Sequence, residues 1–110
     1  MLLEKLYKAD VSISSAGDNT IVSAPTGDGV YLAIDHINLV PSGGVTVQMK
    51  TGSTAYGGAC TLATSVPLVL NNVIQNQDGI ITCGMNEAFV LNLSGAVQVS
   101  GFMRYRIVGR

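Results

Sequence analysis

The sequence predicts an all-β fold, an antiparallel β-sandwich of the jelly-roll or Greek-key kind with about eight short strands. Three observations support this prediction. Apolar and polar residues alternate with period two between residues 88 and 108, turn-forming residues recur about every eight to twelve positions, and the length of 110 residues suits one domain. The chain contains no apolar run long enough to cross a membrane as a helix.

The alternation is clearest in the two runs that flank residues 94–96. In the first run Phe89, Leu91 and Leu93 share one face, whereas Asn92 lies on the other. In the second run one face collects the apolar residues Val97, Val99, Met103, Tyr105 and Ile107. Because a strand alternates its side chains between two faces, both runs are predicted to be strands with one face in a core. The short link between them predicts an antiparallel hairpin.

The remaining strands follow from the same alternation and from the turn residues between them. They are predicted at residues 11–14, 20–23, 30–40, 45–51, 59–62, 66–70 and 80–83. Pro25 is predicted to lie in a loop because proline cannot donate to a strand ladder. Asp78 and Gly79 form a strong turn pair before the strand at residues 80–83.

The long strand at residues 30–40 changes its alternation halfway along. Before Asp35 the apolar residues have even numbers, Val30, Leu32 and Ile34. After His36 they have odd numbers, Ile37 and Leu39. A slip of one residue inside a strand moves every later side chain to the opposite face. We therefore predict a β-bulge at Asp35 and His36.

Residues 1–10 are the one stretch with a helical pattern. Its apolar side is formed by Leu2, Leu3, Leu6 and Tyr7. The stretch is too short to be a stable isolated helix. We expect it either to fray or to form an N-terminal arm that docks on a neighbouring subunit, and we assign residues 11–110 to a single β-sandwich domain. An early acidic residue and the lack of a long apolar region argue against a secretory signal.

The composition is poor in charge. Charged residues make up 12% of the chain, about half of the usual share of about 25%. One interpretation is a neutral, hydroxyl-rich β-surface. We favour a surface that other subunits cover, because charged residues are depleted in the cores of protein interfaces. The net charge of −1 argues against a nucleic-acid partner, which would require a basic surface.

His36 is the only histidine, and Asp35 precedes it. Neighbours in a regular strand point to opposite faces, so these two side chains could meet only through the bulge. We expect a half-buried strand histidine and no enzymatic activity. A Ser-His-Asp triad assembled from distant positions is the alternative. The sequence has neither a Gly-x-Ser-x-Gly motif nor a phosphate-binding P-loop.

Metal and disulfide chemistry are not expected. Asp18, Asp28 and Asp78 all lie in glycine-containing turns, where aspartate is ordinary turn chemistry. Calcium needs several converging oxygen ligands, so we predict no metal site, and we predict no cofactor. Cys60 and Cys83 stand among apolar or small residues and are expected to be free thiols, with a disulfide as the alternative.

A possible contact surface involves the last strand. Arg104 and Arg106 share its polar face, which is either solvated or part of a subunit contact, where arginine is enriched. Tyr56 lies near the tip of the loop predicted at residues 52–58. As contacts with another copy or with a capsid we predict Leu2, Leu3, Leu6, Tyr7, Tyr56, Arg104 and Arg106.

Three segments resemble a widespread kind of small bacteriophage virion protein. They are residues 15–22 (SAGDNTIV), 45–55 (VTVQMKTGSTA) and 87–101 (EAFVLNLSGAVQVSG). The resemblance covers most of the chain from residue 11 onward, and its motifs are turns and strands. Residues 63–84 depart from it, since similar phage proteins often carry a proline-rich, aromatic stretch there.

The resemblance implies a virion β-sandwich protein. Capsid decoration (cement) proteins fit it best, since they are small, jelly-roll-like, often trimeric and without catalytic apparatus. It implies a homotrimer, made in the host cytoplasm, that binds the major capsid protein and stabilises the head shell, with no nucleic-acid or membrane partner. Modest contacts with several neighbours would add up through multivalency. The alternative is a tail- or fibre-associated module that recognises a host surface glycan through residues 52–58 and 71–78.

Overall fold

Ten β-strands form the regular structure of residues 5–72 and 79–109, the part of the chain that the computed structural model describes. The strands are β1 (Leu6–Ile13), β2 (Gly17–Val22), β3 (Tyr31–Pro41), β4 (Val45–Thr51), β5 (Thr54–Ala55), β6 (Cys60–Leu62), β7 (Leu68–Asn71), β8 (Ile81–Thr82), β9 (Phe89–Leu93) and β10 (Val99–Val108). They form two packed antiparallel sheets of five strands each, which confirms the predicted all-β sandwich. The unpredicted strand β5 lies within the loop predicted at residues 52–58.

The strand order is that of a jelly roll. The first sheet has the order β1-β10-β3-β7, with β8 also paired to β3. The second sheet has the order β2-β9-β4-β5, with β6 also paired to β4. Early strands thus pair with late strands in nested order, β1 with β10, β2 with β9, β3 with β7 and β8, and β4 with β5 and β6. A ribbon folded over in this way gives two sheets that enclose one core.

The hairpin predicted within residues 88–108 is wrong. β9 pairs with β2 and β4 in the second sheet, whereas β10 pairs with β1 and β3 in the first. The link between them therefore crosses from one sheet to the other, and it is held where the Thr46 amide donates to Ser94 Oγ at 2.9 Å. The alternation gave the inward side of β9 and of most of β10, since Phe89, Leu91 and Met103 are fully buried, but Ile107 at the end of β10 is 39% exposed. Period two identifies a strand's buried face but not its neighbour.

The prediction of helical structure for residues 1–10 is wrong for residues 6–10. Residues 6–10 belong to β1, which pairs with β10 without interruption from Leu6 opposite Arg106 to Ile13 opposite Val99. Alternation overrides the helical spacing because the inward side chains of β1 complete the core, Val11 being 3% exposed. Residues 1–4, which include two predicted contacts, Leu2 and Leu3, lie outside the described residues.

The predicted β-bulge is confirmed in β3. His36 lies opposite Arg104 of β10, but the next residue of β10, Tyr105, lies opposite Ile34. Asp35 is therefore the extra residue of the bulged strand. The slip lets the apolar side chains on both sides of it reach the same core, and it also leaves Asp35 beside His36 on the outside of the sheet.

Candidate functional site

The polar side chains on the outer face of the second sheet bind one another. Lys50 Nζ lies 2.9 Å from Asp18 Oδ2, and Asn92 Nδ2 donates to Asp18 Oδ1 at 2.7 Å. The hydrogen bond from Asn92 and the neighbouring Lys50 ammonium lower the pKa of Asp18 below its ordinary value. The hydroxyls of Thr46 and Thr61 lie 3.4 Å apart on the same sheet. This face is polar and largely satisfied within the chain.

The outer face of the first sheet differs from it. Val40 and Val69 are 38% and 52% exposed there, and they flank Asn38 of the central strand β3. Phe102 of β10 lies opposite Asn38 on its other side and is half-buried. We call Val40, Val69 and Phe102 the apolar patch. The two exposed valines distinguish this outer face from the largely polar outer face of the second sheet.

Next to the apolar patch lies a depression of about 440 Å³. Its lining comes from four strands and the residue after β7, namely Leu6, Asp35, His36, Asn71, Asn72, Phe102, Arg104 and Arg106. We call it the β3–β10 pocket. The bulge creates its polar side because it places two consecutive residues of β3, Asp35 and His36, along the same depression.

An ion pair forms one side of the pocket. Arg106 Nε lies 2.6 Å from Asp35 Oδ2, and Arg106 Nη2 donates to Asp35 Oδ1 at 3.1 Å. Asn72 Nδ2 also donates to Asp35 Oδ1, at 2.9 Å, and the Asn72 amide donates to the Asp35 carbonyl. The side chains of Arg106 and Asp35 are only 14% and 18% exposed. This bidentate pair fixes both side chains and neutralises the carboxylate.

Two rings and a second arginine form the other side. The His36 and Phe102 rings stack with their centroids 5.4 Å apart and their planes at 28°. Arg104 lies opposite His36 in the strand register, and its side chain is exposed. Within the described residues no carboxylate pairs with Arg104. The pocket therefore combines an apolar ring surface with a guanidinium whose charge is not compensated.

Asp35 and His36, the neighbours considered for a catalytic triad, line the same pocket, but their side chains contact different residues. Asp35 accepts hydrogen bonds from Arg106 and Asn72, and the His36 ring stacks on Phe102. A carboxylate that orients an imidazole must accept from a ring nitrogen. Here the Asp35 oxygens accept hydrogen bonds from the Arg106 guanidinium and the Asn72 side-chain amide.

The predicted contact residues are only partly brought together. Leu6, Arg104 and Arg106 line the β3–β10 pocket. Tyr7 lies on the inward side of β1 and stacks on Tyr105, with ring centroids 5.4 Å apart. Tyr56 is 37% exposed and lies next to β4 of the other sheet, where its amide donates to the Met49 carbonyl.

Sequence reasoning missed Phe102 as a site residue and gave Asn71 and Asn72 only within residues 71–78, the segment named for the alternative glycan-binding role. Phe102 shares the parity of Arg104, so the alternation could have placed both side chains on one face. The two asparagines fall in the amide-rich segment predicted as a glycan-contacting loop, and β7 places Asn71 opposite His36. Residues 73–78 of that segment lie outside the described residues.

The two cysteines are unpaired, as predicted. Cys60 and Cys83 are free thiols, and burial raises the pKa of Cys83 to about 11. Asp28 lies in an exposed loop, and Asp78 is outside the described residues. Among residues 5–72 and 79–109 no three His, Cys, Asp or Glu side chains cluster in a way that could hold a metal ion.

Comparison with protein families, with curated proteins and with solved structures finds no match to this chain. In the described part of the chain no helix has the length and apolar character needed to cross a membrane. The surfaces described above and the resemblance in the sequence are therefore the observations that bear on function.

Proposed function

We propose that this chain is a capsid decoration protein of a bacteriophage, which assembles as a homo-oligomer and binds the head shell. The main observation behind this proposal is that the outer faces of the two sheets differ in polarity. The second sheet satisfies its polar groups internally, whereas the first sheet exposes the apolar patch at Val40 and Val69. An exposed apolar group bounded by polar residues is typical of a surface that another protein covers.

The fold and the composition support the same proposal. Jelly rolls occur in viral capsid proteins, and the outer faces of their two sheets can pack against other subunits. The low share of charged residues, 12%, reduces the cost of removing water from such a face. The binding energy from one sheet face is modest, but a trimer that contacts several capsid subunits at once gains a higher overall affinity. The resemblance in sequence favours the trimer.

The test is the oligomeric state of the purified protein and of two matched variants. Val69→Asp places a charge in the apolar patch, and Thr61→Asp places the same charge on the exposed outer face of the second sheet. Light scattering is expected to show an oligomer for the wild type and for Thr61→Asp, and a monomer for Val69→Asp. Thermal unfolding of each variant establishes that the fold is retained.

A second measurement addresses the partner. The oligomer is expected to co-sediment with expanded phage heads and not with unexpanded ones, and Val69→Asp is expected to remain in the supernatant. A wild-type protein that stays monomeric at high concentration and leaves both kinds of head unbound would overturn the proposal.

A further inference from the structure

The charges of the described chain leave one arginine uncompensated. Lys8, Lys50 and Arg106 each form an ion pair with an aspartate, and the Lys5 ammonium lies 5.0 Å from the centroid of the Tyr7 ring. Arg104 has no acidic partner in residues 5–72 and 79–109, although it lines a pocket. Because Arg106 neutralises Asp35, the one carboxylate among the described lining residues, these residues together carry a positive charge on Arg104.

We propose that the β3–β10 pocket binds a sugar acid, a saccharide whose carboxylate pairs with Arg104. The guanidinium presents two parallel N–H donors that match the two oxygens of a carboxylate. Phe102 belongs both to this pocket and to the apolar patch, so a sugar acid would compete there with a subunit that covers the patch. This ligand also specifies the class of glycan, an acidic saccharide, for the alternative role in glycan recognition given by the sequence.

The other lining groups fit a saccharide ring. Phe102 and Leu6 offer apolar surface for the C–H face of a sugar, and the His36 ring extends the Phe102 surface. The Asn71 side chain at the rim can donate to and accept from a hydroxyl. A volume of about 440 Å³ falls within the range of small-molecule sites, about 300–1,000 Å³.

The pocket is organised before a ligand arrives. The bidentate pair of Asp35 and Arg106 and the hydrogen bond from Asn72 hold its polar side in place. A site whose side chains are already fixed loses less conformational entropy on binding. A neutral sugar would leave Arg104 without a counter-charge, and a simple anion would leave the apolar ring surface uncovered.

The experiment is a titration of the isotopically labelled protein, followed by amide chemical shifts, with four probes. D-glucuronate carries both features, D-glucose the ring alone, acetate the carboxylate alone, and inorganic phosphate a different anion. Saturable shifts around β3 and β10 are expected with glucuronate, at an affinity about tenfold or more above those for glucose, acetate and phosphate.

Two charge-matched variants identify the group that binds. Arg104→Gln is expected to lower the affinity for glucuronate about tenfold or more, because it removes a charge-assisted bond. Lys50→Gln removes the same charge from the outer face of the second sheet, on the other side of the sandwich, and is expected to leave the affinity within about twofold.

Three outcomes would overturn the proposal. Glucuronate could give no saturable shifts at the pocket, acetate or phosphate could bind as tightly as glucuronate, or the two variants could weaken binding equally. The second outcome would identify a general anion site, and the third a long-range electrostatic effect. Light scattering of the protein without ligand tests the capsid proposal separately from all three.

Discussion

The ion pair between Asp35 and Arg106 should contribute measurably to stability. Both side chains are more than four-fifths buried, and the contact is bidentate, with distances of 2.6 and 3.1 Å. Asp35→Asn removes the charge that the Arg106 guanidinium faces in this pair. Removing one partner of a fully buried pair costs about 3–5 kcal/mol, so for this partly exposed pair we expect about 2 kcal/mol.

That free energy corresponds to a large shift in melting temperature. The entropy of unfolding is about 2.1 cal/mol/K per residue, which gives about 0.23 kcal/mol/K for a chain of 110 residues. A loss of about 2 kcal/mol should therefore lower the Tm by about 9 °C. Urea denaturation and differential scanning calorimetry both measure the effect, and the slope of the urea transition should be unchanged.

The chain offers a matched control in the exposed pair of Lys8 and Asp10. Its side chains are 59% and 78% exposed, so Asp10→Asn is expected to change stability by less than about 0.5 kcal/mol. A double-mutant cycle with Arg106→Gln isolates the coupling between Asp35 and Arg106. If Asp35→Asn costs no more than Asp10→Asn, the argument from burial and geometry is wrong.

Three further changes test other parts of the fold. Gly101→Ala should destabilise the protein by about 2 kcal/mol or more in urea unfolding, because a Cβ there would meet the Asn38 carbonyl of the adjacent strand. Burial raises the pKa of Cys83 to about 11, so a thiol reagent at about pH 8 should label Cys60 alone, and Cys60→Ser should abolish labelling of the folded protein. The lowered pKa of Asp18 contributes stability above its ordinary value of 3.8, and this is lost as the pH falls through the folded-state pKa. The stability advantage of the wild type over Asp18→Asn should therefore shrink in acid, and a constant difference between pH 7 and pH 2 would contradict this reasoning.

The sequence predicted what depends on local alternation. The sandwich, the buried faces of β9 and β10, and the bulge at Asp35 all follow from the period of the apolar residues, because the core requires them on one side. The bulge was predictable in particular because the parity changes between Ile34 and Ile37, both of which are buried.

The features that depend on strand pairing were not predictable. Nothing in residues 88–108 indicates that β9 and β10 lie in different sheets, because a short link suits either a hairpin or a crossing. The β3–β10 pocket combines residues from β1, β3, β7 and β10, so its lining is fixed by the nested order of strands. Phe102 and Asn71 become site residues only when that order places them beside His36.

The position of β10 has a consequence for how the polypeptide reaches its native state. β10 lies between β1 and β3, so the first sheet lacks an interior strand until residues 99–108 have left the ribosome. Pairing of residues from opposite ends of a sequence requires closure of a long loop and slows folding, typically to milliseconds or seconds. β1 therefore has no strand partner in the first sheet until residues 99–108 have been synthesised.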